Sequence, residues 1–178
     1  MAMTLVLGGA ASGKSRTAAT LASATGDAVT VIATAEALDD EMAARIERHR
    51  RERPVGWTVV EEPLLLEKAV GDARGLVIVD CLTLWVSNLQ GAGIADDEIA
   101  SRAQGTAKAC ATREEPTIVI SNEVGSGIVP VSPVARRYRD ALGRVNRIFA
   151  ERASTVALMV AGRAVRLSTT LTIEDLRP

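Results

Sequence analysis

A chain of 178 residues has room for one ordinary domain and not for two, so residues 1–178 are read as a single domain. With 21 Lys and Arg against 22 Asp and Glu it carries a net charge of -1, which excludes the basic excess of a general nucleic-acid or membrane-surface binder, and its four aromatic residues exclude a base-stacking RNA-binding sheet. Two cysteines and one histidine make neither a disulfide framework nor a zinc site, the start lacks a basic leader pattern, and no apolar run approaches the ~20 residues of a membrane span, so the expectation is a soluble, reduced, cytoplasmic protein.

Short runs rich in Val, Ile and Leu recur along the chain at residues 4–7, 29–33, 57–60, 76–79, 117–120, 155–160 and 164–167. Several are continuously apolar, as strands buried on both faces of a parallel sheet are. Helical segments separate them, at about 14–24, 39–53, 63–71, 83–113 with a break at Gly91-Ala92-Gly93, and 134–152. Alternation of strand and helix predicts an α/β class with a mainly parallel sheet. The last two runs flank Gly162 closely and predict an antiparallel hairpin at the sheet edge.

The first run leads into Gly8-Gly9-Ala10-Ala11-Ser12-Gly13-Lys14-Ser15, which fits the pattern G-x-x-x-x-G-K-[ST] between a strand and an Ala-rich helix. Glycines let successive backbone N–H groups converge on phosphate oxygens at the positive end of a helix. Lys14 reaches toward the β- and γ-phosphates in this reading, and the Ser15 hydroxyl ligates Mg²⁺. The plain alternative is a glycine-rich turn with a solvated lysine. Asp80 closes the apolar strand 76–79, where a parallel sheet delivers a carboxylate beside the phosphate loop and its metal. It could also merely cap the helix that follows.

The only histidine lies on a helix with readable ends. Asp39 caps it, Asp40 and Glu41 suit its positive end, and Pro54 stops it. Met42 and Ile46 are read as its buried stripe. Arg45, His49 and Arg53 recur every four residues and share a face. Nearby guanidinium groups disfavour positive charge on the ring, and an uncharged imidazole is a nucleophile. A solvated basic face with an incidental histidine is the alternative.

Five blocks together resemble one family. They are the phosphate loop; Ile32-Ala33-Thr34-Ala35 with the helix through His49, Pro54 and Trp57; the segment from Val79 through Leu89; the segment from Ser121 through Pro130; and the arginine-rich stretch from Ala135 to Asn146. The chain resembles the bifunctional adenosylcobinamide kinases / adenosylcobinamide-phosphate guanylyltransferases of cobalamin biosynthesis over nearly its whole length. The resemblance implies a P-loop NTPase-like (RecA-like) α/β fold and two reactions. ATP or GTP phosphorylates adenosylcobinamide. GTP then gives GMP to adenosylcobinamide phosphate through a histidyl-GMP, implied at His49. It also implies nucleotide contacts at residues 8–15, at Ala33, Thr34 and Ala35, at Arg50, Arg51, Glu52 and Arg53, and at Glu61 and Asp80. Mg²⁺ falls to Ser15 and Asp80, and a homo-oligomer, a trimer in the family, is implied as well.

The sequence departs from the family pattern at Ala11, where an arginine is usual, at Arg147 after Asn146, and at Ala164 after Gly162-Arg163. The base for the kinase step stays open between Glu61 and Glu62. The segment from Glu123 to Pro130 reads equally as a substrate loop or a connector. Arg136, Arg137 and Arg139 read as a solvated helix face, and Trp57 and Trp85 as core or interface. The rival functions are a simple P-loop small-molecule kinase or NTPase, and a nucleotide-switched binding protein without group transfer.

Overall fold

The computed structural model describes residues 3–167, so the outer ends of the expected domain, 1–2 and 168–178, lie outside the described residues. Among the described residues are seven strands and six helices. In chain order these are β1 (Met3–Gly8), α1 (Lys14–Ser23), β2 (Val29–Ala33), α2 (Asp40–Arg51), β3 (Thr58–Glu61), α3 (Leu66–Asp72) and β4 (Leu76–Asp80). They continue with α4 (Leu82–Gly91), α5 (Asp96–Thr112), β5 (Thr117–Ile120), α6 (Pro133–Arg152), β6 (Thr155–Val160) and β7 (Arg163–Leu167).

The strands form one sheet in the order β3-β2-β4-β5-β1-β6-β7. Every pairing is parallel except the β6–β7 hairpin, which bears out the expected edge pair. Its turn, Ala161-Gly162, holds both residues at positive φ (50° and 77°), the backbone twist that a two-residue hairpin loop requires. Because β5 inserts between β1 and β4, three strand tips stand side by side. Ile120 lies level with both Val6 and Asp80.

Side chains alternate between two cores. Met3, Leu5, Leu7, Ile32, Val77, Val79 and Val119 join the larger one, beneath α3 to α6. Val6, Val29, Val31, Leu76, Ile78, Ile118 and Ile120 point to the other, where Ala18 and Ala22 of α1 cover them. The continuous apolar runs in β1, β2, β4 and β5 follow directly from burial on both faces. The edge strand β3 is exposed throughout, one residue later in the chain than the apolar run predicts, and so brings Glu61 into the strand.

Helix α2 departs from expectation. Asp39 does cap it, accepting from Met42 N at 2.7 Å. Yet none of its residues is buried, and Met42 and Ile46 are only half-buried. Their stripe lines a cleft, because α1 alone covers that side of the sheet and α2 packs into neither core. The long segment after β4 splits into α4 and α5, separated by the turn after Gly91.

One long-range tie was not readable in the chain. Arg113, after α5, donates to the carbonyls of Val70 and Ala73 at 2.7 Å and of Gly75 at 2.8 Å, which satisfies the end of α3. Its side chain is only 8% exposed, so the bonds form away from water. Replacing it by alanine (Arg113→Ala) strands three carbonyls. The expected loss is about 2–4 kcal/mol, read as a lower urea midpoint with an unchanged slope.

Candidate active site

A cleft of about 720 Å³ opens at the C-terminal edge of the parallel strands. Its floor is Ala10, Ala11, Ser12, Gly13, Lys14 and Ser15, carried from β1 into α1. Gly8 cannot hold a side chain. A Cβ there would stand 2.5 Å from the Met159 carbonyl oxygen and 2.7 Å from Ser12 Oγ, so β6 packs directly under the loop. Gly162 supports the loop from the hairpin turn by donating its N–H to the Ser12 carbonyl at 3.0 Å.

Lys14 is 8% exposed. Its ammonium donates to the carbonyls of Gly8 (2.9 Å) and Gly9 and to Ser12 Oγ (3.4 Å). Burial draws its pKa below the ordinary lysine value and Arg45 adds to that, while Cys81 and Asp80 pull the other way. Gly8 and Gly9 thus serve as acceptors for the lysine.

The opposite wall is α2. Met42, Arg45, Ile46, Arg48, His49, Arg50, Glu52 and Arg53 all line the cleft. The four-residue spacing therefore does put Arg45, His49 and Arg53 on one surface, and that surface looks toward the phosphate loop. His49 Nδ1 lies 4.0 Å from Glu52 Oε2. Arg50 donates to Glu61 Oε1 at 2.6 Å, and Arg53 lies 3.6 Å from Asp80 Oδ2. His49 also borders a second cavity of about 590 Å³, shared with Ser15, Arg16, Ala19 and Trp57.

Ala33, Ala35, Glu61 and Asp80 complete the cleft, as expected. Asp80 does not cap α4. The N-cap position is Cys81, with no side-chain bond, and the Asp80 carboxylate faces Arg53 instead. Besides Gly8 and Gly9, whose carbonyls accept from Lys14, two expected contacts do not line the cleft. Arg51 points away and pairs with Glu47 at 2.9 Å, since one residue on a helix turns the side chain by ~100°. Thr34 is fully buried, its hydroxyl donating to Cys81 O at 2.7 Å and accepting from Cys81 N at 2.9 Å. That hydroxyl ties β2 to the end of β4.

Cys81, Leu84, Ile120, Asn122 and Gly162 also line the cleft, and sequence reasoning assigned none of them a place in it. Asn122 follows β5 directly, and its position beside the loop depends on strand order. Trp85 is core, its indole N–H donating to Leu64 O at 3.0 Å. Arg136 and Arg137 bind backbone carbonyls and Asp96, and Arg139 pairs with Asp140, all away from the cleft. Among the described residues no group of three or more His, Cys, Asp or Glu could hold a metal by protein ligands alone, and no helix is long and apolar enough to cross a membrane.

Removing the Lys14 side chain (Lys14→Ala) takes away a charge-assisted donor to phosphate worth about 1.5–3 kcal/mol. The expected outcome is a tenfold to hundredfold weaker Kd for a fluorescent GTP analogue in titration.

The chain is 44% identical over 163 residues to the bifunctional adenosylcobalamin biosynthesis protein CobP of Pseudomonas aeruginosa, covering 89% of this chain and 92% of that protein. It is 41% identical to the bifunctional adenosylcobalamin biosynthesis protein CobU of Escherichia coli, covering 93% and 99%. The corresponding CobU of Salmonella typhimurium is 40% identical, at the same coverage of each chain. Among solved structures, the RadB recombinase matches 88% of this chain and 73% of its own at 18% identity with a TM-score of 0.50, a likeness of fold. A sequence model described as cobinamide kinase / cobinamide phosphate guanyltransferase matches residues 4–167, and the chain belongs to that family of bifunctional enzymes.

Proposed function

We propose that this enzyme phosphorylates adenosylcobinamide with ATP or GTP and then transfers GMP from GTP to adenosylcobinamide phosphate through His49, giving adenosyl-GDP-cobinamide. The observation that carries this reading is the single cleft in which the imidazole of α2 and the phosphate loop of α1 form facing walls. A triphosphate held by the loop amides and Lys14 lies within reach of the helix that bears the nucleophile.

In the guanylyl step the imidazole attacks the α-phosphorus. An N–P bond forms, the α–β bridging bond breaks, and pyrophosphate leaves with the bridging oxygen. The phosphate of the corrinoid then attacks the same phosphorus, and the N–P bond breaks. Each step brings one anion to a positive wall, with Arg45, Arg48, Arg50 and Arg53 offsetting charge as it develops.

Ser15 and Asp80 fit Mg²⁺ because both offer hard oxygen donors in the cleft, and this ion takes few protein ligands, completing its shell with phosphates and water. When bound it neutralises charge on the β- and γ-phosphates. Arg53 meanwhile balances the Asp80 carboxylate. Arg50, Glu52, Glu61, Ala33 and Ala35 surround the remainder of the nucleotide in this reading. Homo-oligomer formation is part of it too, supported by the apolar side chains that the edge strands leave exposed, Val59, Val60, Val165 and Leu167.

The test is chemical. Incubation with Mg²⁺ and GTP labelled at the α-phosphate, followed by denaturation, is expected to leave label on the protein that survives alkali and is lost in acid. His49→Ala abolishes it. Label absent from the wild type, or retained in the variant, sinks the proposal.

A further inference from the structure

We propose that Asn122 is a catalytic residue of the phosphoryl-transfer step, its side-chain amide donating to a non-bridging oxygen of the phosphoryl group as it passes from nucleotide to corrinoid hydroxyl. This rests on the kinase half of the function proposed above and adds a residue to it.

The position follows from strand order. β5 lies between the phosphate-loop strand and the Asp80 strand, and its chain continues in register past its last paired residue. Ser121 N donates to Val6 O at 3.0 Å and Glu123 N to Gly8 O at 3.1 Å. Asn122 is therefore bracketed at the root of the phosphate loop. Side-chain alternation decides which way it faces. Ile118 and Ile120 belong to the α1-side core, and Ile120 lines the cleft. The Ser121 hydroxyl turns the other way and donates to Asn146 Oδ1 at 2.6 Å. Asn122 returns to the cleft side and lines it.

The backbone at this residue is held from both sides. Its N–H donates to Thr83 Oγ1 of α4 at 2.8 Å, and its carbonyl accepts from Asn146 Nδ2 of α6 at 3.0 Å. Thr83, Ser121 and Asn146 are all buried, so three polar side chains are committed to fixing the backbone of one residue. The side-chain amide of Asn122 itself has no hydrogen-bond partner among the described residues. A fixed backbone that carries an unused donor into a phosphate cleft is the geometry of a preorganised contact.

An amide cannot take the hydroxyl proton at neutral pH, so its role is to place and stabilise. In this step the hydroxyl oxygen of the corrinoid forms a bond to the γ-phosphorus. The bond from that phosphorus to the β–γ bridging oxygen breaks, and the nucleoside diphosphate leaves with that oxygen. The hydroxyl proton passes to water. Charge spreads over the three equatorial oxygens of the moving group, and Asn122 offers one of them a neutral donor opposite the charged Lys14. Asn122 sits beside Gly8, whose carbonyl holds the Lys14 ammonium, so its contact is assigned to the γ end of the triphosphate that Lys14 serves.

The test measures two rates on the same full-length protein: corrinoid phosphate formation from adenosylcobinamide and ATP, and labelling of His49 by α-labelled GTP. In Asn122→Ala, kinase kcat is expected to fall roughly 100-fold, the size expected for one lost oxyanion donor, with little change in the corrinoid KM. The ratio of kinase to labelling rate then falls by at least about tenfold. A smaller change in that ratio, including a parallel loss of both rates, or a loss confined to KM, overturns the assignment. Should that variant not fold, Asn122→Asp, nearly the same shape but presenting a carboxylate to the phosphate, decides on the same ratio. A wild type without kinase activity overturns the functional reading together with this one; failure in the variants alone overturns only the role of Asn122.

Discussion

The hydrogen-bonded register of β4, β5 and β1 is the constraint on which the rest of the site depends. Parallel pairing sets Asp80, Ile120 and Val6 level with one another, so β4 and β5 end at one height while β1 runs two residues further to Gly8, where the phosphate loop begins. The phosphate loop, the acidic tip and the Asn122 turn then converge without any one of them having to bend toward the others. A slip of one residue would send the side chains at each tip to the opposite face. Burial on both faces makes such a slip costly, since every residue of β5 is buried.

Stability is distributed unevenly around this edge. Four helices cover one side of the sheet and α1 the other, whereas α2 has no buried residue. Arg50–Glu61 and Arg53–Asp80 connect it to the strand tips. Exposed pairs such as the first contribute on the order of 0–1 kcal/mol. The helix that carries His49 is thus held far more lightly than the loop it faces. Such weakly packed elements are the ones that open most readily in a folded protein. For a cleft that must admit a nucleotide and then a bulky corrinoid, low local stability on one wall is compatible with the chemistry, because the phosphate loop supplies the fixed reference.

That loop is fixed from beneath by groups far away in the chain. Gly162 binds the Ser12 carbonyl, the Met159 carbonyl excludes any side chain at Gly8, and Lys14 holds the carbonyls of Gly8 and Gly9. The edge hairpin, which looks peripheral in the strand order, is part of the phosphate site for this reason. Ala164, where the sequence leaves the family pattern, lies just beyond the turn that makes this contact.

The phosphate loop, the acid at the end of β4 and the face shared by Arg45, His49 and Arg53 were legible in the chain, because each depends on neighbours within a few residues: a run of glycines, an apolar stretch, a helical period. Alternation of strand and helix likewise settled the α/β class. Strand order was not legible, since non-consecutive strands pair through contacts between distant residues. With it went Asn122 and Gly162, whose place beside the loop exists only once β5 and β6 flank β1. The apolar stripe of α2 could be read as a pattern but not as a destination; it lines a cleft because α1 alone covers that face. Arg51 and Thr34 show the same limit. A residue type suited to phosphate is free to meet it only if tertiary structure has not already turned it away, as with Arg51, or paired its polar atom, as with the hydroxyl of Thr34.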